Sequence, residues 1–175
     1  MSQYAAPADF FQAFGLEEAA QLLADEERLL TATLLKDAVA VSSFGTWTGS
    51  PTQAERDAAQ AALARLEREL LSKSNFMDGY LRSAVTLPLP EGDANASSLR
   101  ECCLALTRCG LADDSDNATE RIDKLREQWL MWLKDIAAKR VSLVGAGGAL
   151  MAPVGSVRFG QAKSAYCSFG FGVLP

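Results

Sequence analysis

The sequence predicts an all-α fold: a helical bundle with one long helix, followed by an extended glycine-rich C-terminal arm. Three features carry this. Apolar residues recur at spacings of three and four through the first 140 positions, and residues able to cap a helix stand before several of those stretches. The last 35 positions hold seven of the thirteen glycines and show no helical periodicity. A length of 175 residues gives about one domain. Hydrophobic residues at 49% and charged residues at 22% match folded rather than disordered chains. The expected division is a helical body over residues 1–143 and an arm over 144–175.

Pro7 suits the first turn of a short helix that Phe10, Phe11 and Phe14 make apolar and that Gly15 ends. A second short helix runs from about Glu17 to Leu23. Leu29, Leu30, Leu34, Leu35, Ala38 and Val39 keep helical spacing between Glu26 and about Val41, until the stretch from Phe44 to Pro51 breaks it as a loop. Thr52, with Glu55 three residues on, forms a capping-box pair. Leu63, Leu66, Leu70, Met77, Tyr80, Leu81 and Ala84 then hold one face, so a helix extends from about Gln53 to Ala84. It would be roughly 45 Å long, a wall element, unless Ser72 to Asn75 kinks it.

Pro88 and Pro90 keep Thr86 to Pro90 extended. Ser98 with Glu101 repeats the capping pair ahead of Leu99, Cys102, Cys103 and Leu106, a helix ending near Gly110. Asn117 with Glu120 opens the last helix, whose apolar positions are Ile122, Leu125, Trp129, Trp132, Leu133 and Ile136. Lys134, Lys139 and Arg140 suit its negative C-terminal end.

Composition narrows the function. The chain carries −5, made of −7 over residues 1–140 and +2 over the rest from Arg158 and Lys163, so grip on nucleic-acid phosphates is not its main source of affinity. It has no histidine, the commonest general acid/base and neutral metal ligand. The four cysteines lack Cys-x-x-Cys spacing and read as reduced, buried thiols rather than a zinc site.

Gly145, Gly147 and Gly148 imitate a dinucleotide-binding turn, but Leu150 stands where the third glycine belongs and Pro153 interrupts the helix that should follow. Asp113, Asp114 and Asp116 resemble a calcium loop, yet Ala118 and Lys124 replace its glycine and glutamate. Carboxylate pairs such as Glu17 and Glu18 fall on polar helix faces. No catalytic residue, cofactor or metal is expected. The first basic residue is Arg28, against a secretory signal, and the uncharged run Val141 to Val157 is too short and glycine-rich for a membrane span.

Asp78-Gly79-Tyr80-Leu81, then Thr86-Leu87-Pro88-Leu89-Pro90, a cysteine-containing apolar helix ending at Arg108, and Trp129-Leu130 through Ile136 to Leu143 follow one another in a set order. Together with Ala8 to Gly15, Glu17-Glu18 and Gln21-Leu22, this order resembles the Mu-like tailed-phage head-to-tail adaptor family over most of the first 143 residues. Between about residues 28 and 53 the chain departs from that pattern with a longer connection.

The resemblance implies an α-helical protein of the virion neck, made in the host cytoplasm. It would form a ring of about twelve copies under the portal protein, bind a distal neck or tail-completion protein, and let genomic DNA pass without specific binding. Residues 144–175 would be the portal-docking arm, with Phe159, Tyr166, Phe169 and Phe171 as anchors and Arg158 and Lys163 meeting acidic portal surface. Tyr80, Leu81, Trp129 and Trp132 are expected in the core or between subunits. Acidic side chains of the body would line the channel and repel phosphates. A different class of reading is a soluble helical module that captures a partner in an apolar groove.

Overall fold

The computed structural model describes residues 3–24, 28–43, 45–87, 95–112, 120–141 and 143. Six helices and no strand make up these residues: α1 (Pro7–Phe14), α2 (Leu16–Leu23), α3 (Ala32–Ser42), α4 (Gln53–Leu81), α5 (Ala96–Leu111) and α6 (Glu120–Ala137). The all-α expectation holds, with one long helix.

The first four helix starts have local causes. At α1, the Asp9 carboxylate accepts from the Ala6 backbone N–H at 2.8 Å, and Pro7 fills the first turn, where a missing N–H costs nothing. Gly15 separates α1 from α2 in one residue at φ 85°, ψ 156°, a backbone state open essentially to glycine alone. Glu17 and Glu18 stand in the first turn of α2, where the helix dipole favours them.

The α3 start differs from expectation. Leu29 and Leu30 keep helical spacing, yet the helix begins at Ala32, because the Thr31 hydroxyl accepts from the Leu34 N–H at 3.3 Å and caps it there. Arg28, at φ 52°, lies outside any helix.

At α4 the expected capping box is present: Thr52 Oγ1 accepts from the Glu55 N–H at 3.4 Å, and Glu55 Oε2 accepts from the Thr52 N–H at 2.7 Å. The helix then runs about 43 Å without interruption at Ser72 to Asn75. Ser74 is absorbed rather than disruptive, since its buried hydroxyl donates to the Leu70 carbonyl at 2.8 Å. The helix stops at Leu81, three residues before Ala84, as the Ala84 and Val85 N–H groups both turn back onto the Leu81 carbonyl at 2.9 Å.

The α5 cap is also displaced. Asn95, not Ser98, is the first flanking residue, and the helix passes through Gly110 to end at Leu111. The cap expected at Asn117 and the extended prolines 88 and 90 lie outside the described residues.

α4 touches every other helix. α1, α2 and α3 pack along it with α5, whereas α6 meets only α4 and α5. Phe10, Leu35, Leu66, Leu70, Met77 and Leu99 have no exposed surface and share one cluster with Leu133 and Ile136 of α6. Each such side chain contributes about 1.5–3 kcal/mol over its exposed state.

Polar ties fix the periphery to this core. Buried Asp37 accepts from the Thr48 N–H at 2.7 Å and from its hydroxyl at 3.1 Å, which folds the loop 45–52 back on α3. Arg108 of α5 pairs with Glu18 of α2 as an ion pair rather than an aligned hydrogen bond, and its guanidinium lies 4.9 Å from the Phe14 ring centroid. Beyond α6, Leu143 is buried in the same core.

Candidate functional site

The face shared by α4 and α6 carries a groove. The two helices run in the same direction: Lys73 and Phe76 lie level with Arg126 and Leu130, and Ser83 Oγ donates to the Ala137 carbonyl at 3.2 Å near both C-terminal ends. Between them is a groove of about 370 Å³. Phe76, Leu106, Leu130 and Gly110 give it apolar walls and floor, while Glu69, Lys73 and Arg126 charge its rim. Glu69 and Lys73 are paired at 3.3 Å one turn apart on α4, a contact worth a few tenths of a kcal/mol.

The four body residues singled out from the sequence divide here. Leu81 is fully buried. Tyr80 is half-buried beside the groove, its ring meeting Phe76 edge-on at 5.2 Å. Trp129 and Trp132 meet edge-on at 5.4 Å and are half-buried against the core. The arm residues Arg158, Phe159, Lys163, Tyr166, Phe169 and Phe171 lie outside the described residues.

Sequence reasoning missed Phe76 and Leu130. Phe76 is 44% exposed, and its only signal was its position four residues before Tyr80. Leu130 sits between Trp129 and Trp132 and is not among the apolar positions that the spacing of this helix picks out.

The shifted ionisable groups among the described residues are three buried thiols and one helix-capping carboxylate. Burial pushes the Cys102 thiol up to about 12, with neighbouring Cys103 adding to the effect. Burial likewise raises Cys103 and Cys109. Thiols held neutral are poor nucleophiles and poor metal ligands. Glu55 is held below the usual carboxylate value by the Thr52 backbone N–H and hydroxyl, as its capping role requires. Among the described residues, no group of three or more His, Cys, Asp or Glu side chains is placed to hold a metal, and no helix is long and apolar enough to cross a membrane.

Residues 4–158 match the family described as bacteriophage Mu, Gp36. The chain belongs to the bacteriophage Mu Gp36 family. The Mu-like resemblance read from motif order is therefore correct at the level of the family. The Gp36 match takes in all six helices and the whole α4–α6 groove. It reaches Arg158 of the arm and leaves Phe159, Lys163, Tyr166, Phe169 and Phe171 beyond it. No curated protein and no solved structure gave a significant match.

Proposed function

We propose that this chain is a noncatalytic structural protein of a tailed-phage neck: an adaptor ring of about twelve copies that docks under the portal and joins capsid to tail around the DNA channel. The observation that carries the reading is membership of a Mu phage family across the entire helical body. The physics of the body supports it. A ring subunit needs a stiff wall, and the uninterrupted α4 is one. It also needs two unlike lateral faces, and α6 covers one edge of α4 that α1, α2 and α3 leave alone.

In this reading residues 144–175 dock on the portal, with Phe159, Tyr166, Phe169 and Phe171 as anchors and Arg158 and Lys163 facing acidic surface. Ordering seven glycines is costly, so a partner must supply the binding energy. Deleting residues 144–175 should abolish co-purification with the portal of the same phage while the body stays helical. Undiminished co-purification would overturn the arm's role.

The −7 of residues 1–140 further suggests a channel wall that repels phosphate and lets the duplex slide. A pore found lined with Lys and Arg would contradict this. If the full chain stayed a monomer or dimer on a portal that it demonstrably bound, the alternative of a groove-binding helical module would replace the ring.

A further inference from the structure

Two large apolar side chains of α4 are left exposed: Leu71 at 41% and Phe76 at 44%. Five residues apart on a helix, they point about 140° from one another and so belong to different edges. Phe76 borders the α4–α6 groove, which no segment among the described residues fills. Leu71 stands proud on the other edge, one turn after Glu67.

Among the charges beside the two edges, one pair is of opposite sign. Arg126 on the groove rim and Glu67 beside Leu71 are both exposed, and neither forms an ion pair among the described residues. Both edges belong to one rigid helix, so a chain cannot place its own Leu71 in its own groove. Resting on the ring reading above, we propose that neighbouring copies join head to tail through these edges. Leu71 of one α4 inserts into the α4–α6 groove of the next copy, between Phe76 and Leu130, with Glu67 facing Arg126.

The contact is heterologous, because the inserting edge and the receiving edge differ. Their divergence of about 140° falls short of the 180° that would extend a straight row, so repetition curves the assembly toward closure. Burying an exposed leucine against two apolar side chains supplies affinity, and the charge pair selects the mate.

Cysteine cross-linking of the full chain assembled on the portal of its own phage tests this. In a Cys167→Ser background, the double variant Leu71→Cys/Phe76→Cys should give, with a short bismaleimide, a ladder of covalent multimers. Either single cysteine alone should give none, and an equal mixture of the two single-cysteine chains should stop at dimers. Cys102, Cys103 and Cys109 are buried and should not compete. Glu67→Arg should lower ring occupancy on the portal, and adding Arg126→Glu in the same chain should restore it.

Rings visible by electron microscopy without a ladder, or cross-links from one single-cysteine chain alone, would overturn the proposed contact while leaving the adaptor intact. Absence of any wild-type ring on the bound portal would instead overturn the adaptor reading, and this contact with it.

Discussion

The phenol of Tyr4 donates to Asp78 Oδ1 at 2.6 Å, joining the start of the chain to the last turns of α4 across 74 residues of sequence. The same segment donates from the Tyr4 backbone N–H to Ser74 Oγ at 3.3 Å. Asp78 is buried, so the hydroxyl answers a group that water reaches poorly. Tyr4→Phe should therefore cost about 1–3 kcal/mol, more than an exposed hydrogen bond would. In thermal unfolding that is a fall of at least about 2 °C. An unchanged melting temperature would mean that this hydroxyl bond adds nothing to the stability of the body.

Gly15 links α1 and α2 at φ 85°, ψ 156°. A Cβ at that position would meet no atom within 4 Å, so any penalty comes from the backbone and not from crowding. Gly15→Ala should destabilise the chain by about 1–3 kcal/mol. Chemical denaturation should show a lower midpoint with an unchanged slope, since the denatured state is no more compact.

Lys139 occupies the position after α6 at which glycine is preferred. Its N–H bonds to the Ile136 carbonyl at 2.8 Å, the Arg140 N–H bonds to the Asp135 carbonyl at 2.8 Å, and its φ is 58°. The positive charge suits the helix end as the sequence suggested, yet the side chain costs strain that glycine avoids. Lys139→Gly should raise stability by about 0.5–1 kcal/mol, and a decrease would show that the charge outweighs the backbone.

Cys102, raised to about 12 by burial and by Cys103, should resist iodoacetamide in the folded chain at pH 8 and react once urea unfolds it. The folded pKa lies above the ordinary value of 9.0, so the thiol's contribution to stability is complete below about pH 9 and is lost as pH rises toward about 12. Urea midpoints measured from pH 8 upward should fall over that window, and fall less in Cys102→Ala measured against its own value at pH 8.

What could be read from sequence was local. Thr52 and Glu55 are three residues apart, and their reciprocal bonds follow from that spacing alone. The apolar faces of α4 and α6 were legible for the same reason, because periodicity reports burial. Contacts between distant positions were not. Asp37 holding Thr48 and Tyr4 reaching Asp78 depend on how helices lie against each other, and no spacing rule encodes that.

Helix ends failed where neighbouring signals competed. Leu29 and Leu30 kept the helical period but lost to the Thr31 cap, and Ser98 with Glu101 looked like a cap while the helix had already begun at Ala96. Periodicity also assigned Phe76 to no face, since it sits at the margin of the buried stripe of α4, 44% exposed with its ring edge-on to Tyr80.

Electron microscopy of tailed particles containing this chain tests the adaptor proposal most directly. A closed ring of the chain should lie between portal and tail, with α4 as its wall and residues 144–175 running onto the portal. Intact, filled particles in which the chain lies elsewhere, or in which it binds the portal as isolated single copies, would contradict it.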